Sequence, residues 1–509
     1  MKSRSLRTST ALILAFVVAF CFLLICSKNS PLYPMNDWGD VNCFMTVGRS
    51  VLDGKLMYTE IYEQKGPLLY FLFAFAALIS PGSFLGVFII ETLCFAAFLY
   101  FSALLARLFH KRDGLAADLA VMAAAAFAAV NSGSFCHGGS VEELCLFMLA
   151  ASLYFAIKAI REKKPVGRLR AFIIGAFGAA AFWSKFTVCG FFFGLSVFLF
   201  FSALADRSRR KALLGDIPAF IGGAAAVSLP ILLYFAVNNN LGDLLCSYFY
   251  NNIFAYVPES GFAGAMIRTL PRNLLIGIKH CFTSNLYAAP FFLLIPAHYL
   301  IFGRERKKEL FFIACCGFFL LLSTFPSSRR YGYYPHIFIA FAPVGIGCAA
   351  ELLGRAFRAL KAKKTILKLC AGLLFAGLLA LSLFVNGNTY LIGFPREAMP
   401  QYRFAAVINE RPGATVLNYN FLDGGFYFAA DKLPVTKFFC RLNLSLPEMD
   451  GELDAAVTGR TVDFIITRDA PLEDFFPGET GYHCADRATM YFERYDRVYY
   501  LYARDDAGH

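Results

Sequence analysis

The sequence is poor in charge. Only 17% of its 509 residues are Asp, Glu, Lys or Arg, against 58% hydrophobic residues, and the mean hydropathy is +0.55. Soluble domains carry about 25% charged residues, so a soluble globular protein is excluded. No CxxC pair occurs among the 15 cysteines. That removes zinc-ribbon and thioredoxin-like readings and leaves most thiols as small hydrophobes within apolar blocks. Cys440 and Cys484 both lie in the C-terminal tail, and only an extracytoplasmic tail would let them pair. No small-x-small cleavage site follows the first apolar run, so that run is expected to stay as an uncleaved first span. The tail lacks a Gly-rich phosphate loop and metal-ligand spacing.

What is present is a series of apolar blocks, most of them near the roughly 20 residues that cross a bilayer. The net charge of +12 divides unevenly. Residues 1–386 hold 36 Lys+Arg and 18 Asp+Glu, whereas residues 387–509 hold 12 and 18. The basic excess therefore belongs to the apolar part, where it reads as membrane topology, and a nucleic-acid partner is not expected. Lys2, Arg4 and Arg7 precede the span Thr10–Cys26 and place the N-terminus in the cytoplasm. The apolar stretch Leu68–Ile79 is too short to cross; laid along the outer interface, it lets every later basic cluster fall inside. The remaining spans are then Phe84–Phe109, Leu115–Asn131, Val141–Ile160, Phe172–Trp183, Phe186–Ala205, Ile217–Val237, Leu286–Phe302, Leu310–Phe325, Ile337–Leu353 and Ile366–Val385. The expected fold is an α-helical polytopic membrane protein of about 11 transmembrane helices (residues 1–386). Residues 387–509 alternate short β-rich runs with helical stretches and are expected to form a small extracytoplasmic α/β domain.

Fixed charge is costly in hydrocarbon, so its placement is informative. The span interiors are nearly empty of it, with Glu91 the main exception. The other candidates gather at the outer ends of spans: Asp37, Asp40, Lys65, His137, Glu142, Glu143, Lys185, Arg329, Arg330 and His336. A carrier needs its polar site near the bilayer midplane. A site at the outer interface suits a substrate with a polar head and a lipid tail. In the loop Asn36–Tyr70, Asp37 has an ordinary explanation as a helix cap and Lys65, in EQKGPLLYF, as a snorkelling side chain. Asp40 is harder to explain by packing, and Lys65 is well placed for a lipid phosphate. Asp53, Glu60 and Glu63 default to a solvated surface. Glu142 and Glu143 in CHGGSVEELCLF sit in a first helical turn, which the helix dipole favours for one acid more readily than for two. Lys185 marks a tight outer turn. SSRRYGYYPHIF places Arg329 and Arg330 where the positive-inside bias disfavours arginine, and paired guanidiniums suit a phosphate. The aromatic belt accounts for Tyr331, Tyr333 and Tyr334.

These residues resemble the polytopic GT-C glycosyltransferases that use lipid-linked sugars, the group of the aminoarabinose transferases, protein O-mannosyltransferases and RgtA/B/C/D-like enzymes. The resemblance covers the layout of roughly residues 1–386. It rests on Asp40 in DVNCF, on GRSVLDGKLMYTEIYEQKGPLLYF, on Glu142 and Glu143 in GGSVEE, and on RRYGYYPH. Lys65-Gly-Pro stands where that family has Lys-Pro-Pro or His-Pro-Pro. The resemblance implies juxtamembrane helices in the first outer loop and a catalytic base there. It implies sugar transfer from a polyprenyl-phosphate donor to a hydroxyl of a glycan, lipid or protein, on the outer face of the cytoplasmic membrane and with inversion. Asp40, with Asp37 beside it, would supply the catalytic base. Lys65, Lys185, Arg329, Arg330, Tyr334 and His336 would bind substrate, and Glu142 or Glu143 would orient the acceptor or hold a divalent cation. The alternatives are a lipid-linked glycan polymerase or ligase, and a non-enzymatic transporter of lipid-linked oligosaccharide.

Overall fold

The computed structural model describes residues 2–109, 114–204, 207–255, 264–303, 306–327, 329–359, 363–444, 446–492 and 495–505. The basic cluster at His110–Arg112 lies outside them. The helices in chain order are α1 (Lys2–Cys26), α2 (Gly39–Leu52), α3 (Pro67–Ile79), α4 (Leu85–Arg107), α5 (Leu115–Val130), α6 (Val141–Glu162), α7 (Arg168–Ser184), α8 (Cys189–Leu204) and α9 (Arg207–Val237). A single turn, α10 (Leu241–Leu244), runs into a π-helical stretch, Leu245–Ala255. Then follow α11 (Gly264–Ser284), α12 (Ala289–Phe302), α13 (Lys307–Thr324), α14 (Ala342–Ala359) and α15 (Lys364–Val385).

Each of the eleven apolar stretches read as a span contains a helix. Among the described residues, seven helices are long and apolar enough to cross a bilayer, and α11 with α12, bent by 115° at their break, add an eighth if they form one span. Three of the eleven fall short for physical reasons. α5 has 16 residues, α7 has 17, and α13 spends its first turn on Lys307, Lys308 and Glu309. α3, with 13 residues, is about 20 Å long at 1.5 Å per residue, well short of a core of about 30 Å. α9 and α15 leave most of their apolar surface uncovered by protein, as lipid-facing helices do.

The chain forms two compact units. The first contains Met1–Ser30, Phe88–Ile231 and Ala263–Tyr390. Its helices are tied by buried ion pairs: Arg107 to Asp118, and Arg161 to Glu309, whose carboxylate also accepts from Tyr299 at 2.8 Å. The second contains Pro31–Val87, Leu232–Phe262 and Leu391–His509, so the first loop and the tail fold together. Within it α2 and α3 pack closely at Gly48, where a Cβ would stand 2.6 Å from the Ala74 backbone nitrogen. Pro67 starts α3 at a position that needs no N–H donor.

The tail is an α/β domain, as its alternating pattern implies. Helices α16 (Pro400–Asn409), α17 (Phe426–Ala429) and α18 (Pro447–Thr458) accompany strands β1 (Val416–Asn418), β2 (Phe464–Arg468), β3 (Tyr482–Phe492) and β4 (Tyr495–Arg504). The sheet order is β1-β2-β4-β3, with β1 and β2 parallel and the other pairs antiparallel. In β3, Ala488, Met490 and Phe492 are buried while their neighbours are exposed, the period-two signature of a half-buried strand.

Candidate active site

In the second unit the site is built on α2 and the chain leading to α3. The peptide N–H of Trp38 donates to Asn36 Oδ1 at 3.0 Å, and the N-cap position of α2 falls to Trp38, which makes no side-chain capping bond, and not to Asp37. Asn42 fixes the same turn by donating to the carbonyls of Asn36 and Trp38, each at 2.9 Å. Asp37 is buried at 4% exposure, close enough to Tyr499 to act on it electrostatically. Asp40, in the first helical turn, is 8% exposed. Among the described residues its carboxylate has neither a hydrogen-bond nor an ion-pair partner. Its oxygens are not among the buried unpartnered atoms, so at a helix start they stand open to a partner from outside the protein.

Lys65 is held from several sides. Its ammonium stands 3.5 Å from Glu63 Oε1 and 5.6 Å from the centre of the Phe44 ring. Its peptide N–H donates to Glu63 Oε2 at 2.9 Å and to the Tyr70 hydroxyl at 2.8 Å, while Tyr58 donates to its carbonyl at 2.5 Å. Tyr70 in turn donates a short hydrogen bond to Glu63. Burial and the Glu63 carboxylate push the Tyr70 hydroxyl well up, which keeps it a donor. Glu63 corrects the sequence reading: it is 3% exposed and orders the Lys65 loop, whereas Asp53 and Glu60 are exposed as expected.

In the first unit a second cluster forms where α6 begins. Ser140 caps α6 by accepting from the Glu143 N–H at 3.1 Å, and Glu143 reaches back to the Gly139 N–H at 2.9 Å, a variant of the capping box. Glu143 also faces Glu91, which accepts from Ser27 at 2.8 Å and Asn29 at 3.0 Å. Gly138 makes this approach feasible: its φ is +91°, and a Cβ there would lie 2.3 Å from Ser27 Oγ and 2.8 Å from Glu91 Oε1. Glu142 points elsewhere. Its Oε1 takes the Lys185 ammonium, which lies 4.2 Å from the Tyr334 ring centre and 5.0 Å from that of Tyr333. Its Oε2 is buried and has no hydrogen-bond partner among the described residues.

Residues 64–235 match the family model for dolichyl-phosphate-mannose-protein mannosyltransferase. No curated protein sequence matches the chain. The crystal structure of ArnT from Cupriavidus metallidurans bound to undecaprenyl phosphate superposes with a TM-score of 0.57 at 13% identity, covering 98% of each chain. Its apo form gives 0.59 at 12% identity with the same coverage. The chain has the fold of these ArnT structures, and its apolar helices make it a multi-pass membrane protein.

The chain divides its candidate residues between its two units: Asp37, Asp40 and Lys65 in one, Glu142, Glu143, Lys185, Arg329, Arg330, Tyr334 and His336 in the other. Lys185, Glu142 and Tyr334 are brought into contact, and Arg330 is exposed beside them in sequence, with Arg329 half-buried. His336 is fully buried, 3.0 Å from Ser134 Oγ and against the Phe135 ring, so it serves the core and does not present a cation. Glu142 and Glu143 each give one carboxylate oxygen to a protein donor, an ammonium and a peptide N–H, and no group of three His, Cys, Asp or Glu side chains among the described residues is arranged to hold a metal.

Proposed function

We propose that this protein transfers a sugar from a polyprenyl-phosphate donor to an acceptor hydroxyl, with inversion at the anomeric carbon. The observation that carries the reading is Asp40, a buried carboxylate at a helix start that no described side chain satisfies. A general base must keep its oxygen open to the proton it takes, and Asp40 does so while its neighbours Asn36 and Asn42 fix the backbone under it.

In the reaction the acceptor O–H gives its proton to Asp40 as the oxygen attacks the anomeric carbon. The bond from that carbon to the phosphate oxygen breaks on the opposite face, and the lipid phosphate leaves as an anion. A glycosidase needs a second carboxylic acid to protonate its leaving group. A phosphate needs only positive charge, and Lys65, ordered by Glu63 and Tyr70, supplies it. In the first unit, Arg329 and Arg330 carry guanidiniums of the kind that bind phosphate, and Glu142 keeps an open oxygen of the kind that takes a substrate hydroxyl.

The test is to incubate purified protein with a panel of radiolabelled polyprenyl-phosphate monosaccharides and an acceptor extract. Release of free polyprenyl phosphate with transfer of label is expected for one donor. Consumption of only long lipid-linked glycans would favour a polymerase or ligase, and binding with no turnover of any donor would favour a transporter.

A further inference from the structure

Helix α2 turns one face to the C-terminal domain. Gly39, Asn42, Thr46 and Arg49 recur every three or four residues, with Cys43 three before Thr46, the spacing that lines side chains along one side of a helix. Gly39 faces Leu422, and Asn42 faces Gly425. Thr46 donates to Asp423 at 2.6 Å, and Arg49 pairs with Asp431. Cys43 stands in the middle of this row with its Sγ 3.8 Å from Cys440 Sγ, and the two residues are 1% and 0% exposed. All of these residues belong to the same compact unit.

We propose that Cys43 and Cys440 are a disulfide site, joining the helix whose first turn carries Asp40 to the C-terminal domain. The thiols are in van der Waals contact, and a disulfide requires their sulfurs to close from 3.8 Å to about 2.05 Å. The oxidant is a disulfide-bearing thiol oxidoreductase. One cysteine loses its proton, and its thiolate attacks the oxidant's disulfide, expelling one oxidant sulfur as a thiolate that takes up a proton. The other cysteine, deprotonated in turn, attacks the mixed disulfide and expels the second oxidant sulfur. The cysteine pair loses two electrons and two protons, and the oxidant's disulfide becomes two thiols.

The structure also indicates when the bond forms. With Cys43 and Cys440 1% and 0% exposed, an oxidoreductase cannot reach either sulfur in the folded unit, and burial also pushes both thiols up. Exchange therefore precedes the docking of α2 on the tail. The bond closes a loop across 397 positions of sequence, where a cross-link restricts the unfolded chain strongly. Cys484, the other tail cysteine, is exposed, and its thiol is directed to the Asp486 carbonyl. Cys440 is then committed to Cys43, and the Cys440–Cys484 pairing that the sequence left open does not form. This inference does not depend on the sugar-transfer reading.

The test uses the full-length protein, taken from membranes in the presence of N-ethylmaleimide, then denatured and digested without reductant. Mass spectrometry is expected to find the Cys43 and Cys440 peptides joined, lighter by two hydrogens than their sum, and separated by reductant, with Cys484 alkylated. Recovery of both peptides fully alkylated, or of Cys440 joined to another cysteine, would overturn the proposal. As a second reading, reductant should lower the Tm of the wild type and leave those of Cys43→Ser and Cys440→Ser unchanged. An equal response in all three would contradict the assignment, and if the variants do not fold, the wild-type digest still decides.

Discussion

Thr46 Oγ1 lies 2.6 Å from Asp423 Oδ2, and both side chains are buried. Asp423 also accepts from the Gly425 N–H at 2.8 Å and from Asn418 at 3.1 Å. Burial outweighs these bonds and pushes its carboxyl up to about 6. The folded unit therefore binds a proton that the unfolded chain has already lost between about pH 4 and pH 6. Its contribution to stability is full at lower pH and is lost as pH rises through about 6, a change of about 3 kcal/mol. We expect Asp423→Asn to flatten this part of the Tm-against-pH curve, measured on detergent-solubilised protein. An unchanged slope would show that another group sets it.

Glu63 orders Lys65 through the peptide N–H, the ammonium and Tyr70. Removing it strands buried donors, which costs about 1–3 kcal/mol. Glu63→Ala is expected to lower the Tm and raise KM for the lipid-phosphate donor more than it lowers kcat, while Glu63→Gln, which retains an acceptor, should recover most of both.

Lys185 and Glu142 form a pair in which each side chain is nearly buried. Breaking such a pair from one side leaves an uncompensated charge, at a cost of about 3–5 kcal/mol. Lys185→Met should be strongly destabilising, and the double variant Lys185→Met, Glu142→Gln should regain much of the loss. A double-mutant cycle on Tm measures the coupling; additive losses would contradict it.

Gly138 has no room for a side chain, and its φ of +91° is unfavourable for other residues. Gly138→Ala should cost about 1–3 kcal/mol by forcing Ser27 and Glu91 apart, read as a fall in Tm. Gly82, where a Cβ meets nothing within 4 Å, is the control at which alanine is expected to be neutral.

How much of this was legible in the sequence depends on the range of each interaction. The apolar blocks, the short α3 and the strands of the tail are local patterns and read correctly. That Tyr482–Phe492 and Tyr495–Arg504 lie side by side as antiparallel neighbours is invisible to composition. Glu63 looked solvated because its partner Tyr70 lies across the turn into α3, and a helical or strand period does not connect them. Asp423, Cys440 and Asp431 gave no signal, since each meets α2 across more than 370 residues. The spacing of Gly39, Asn42, Thr46 and Arg49 was present in the sequence, but a row of small and polar residues does not announce its partner. His336 looked like a site residue from its neighbours Arg329 and Arg330. The 3₁₀ turn from Tyr334 carries it inward to Ser134.

The most direct test of the account is turnover by Asp40→Asn alongside the wild type, with donor binding and Tm measured on the same preparations. A general base contributes about 10²–10⁴-fold, and a loss of that order in kcat is expected, with donor affinity and Tm little changed. Transfer at the wild-type rate by Asp40→Asn would contradict the central claim.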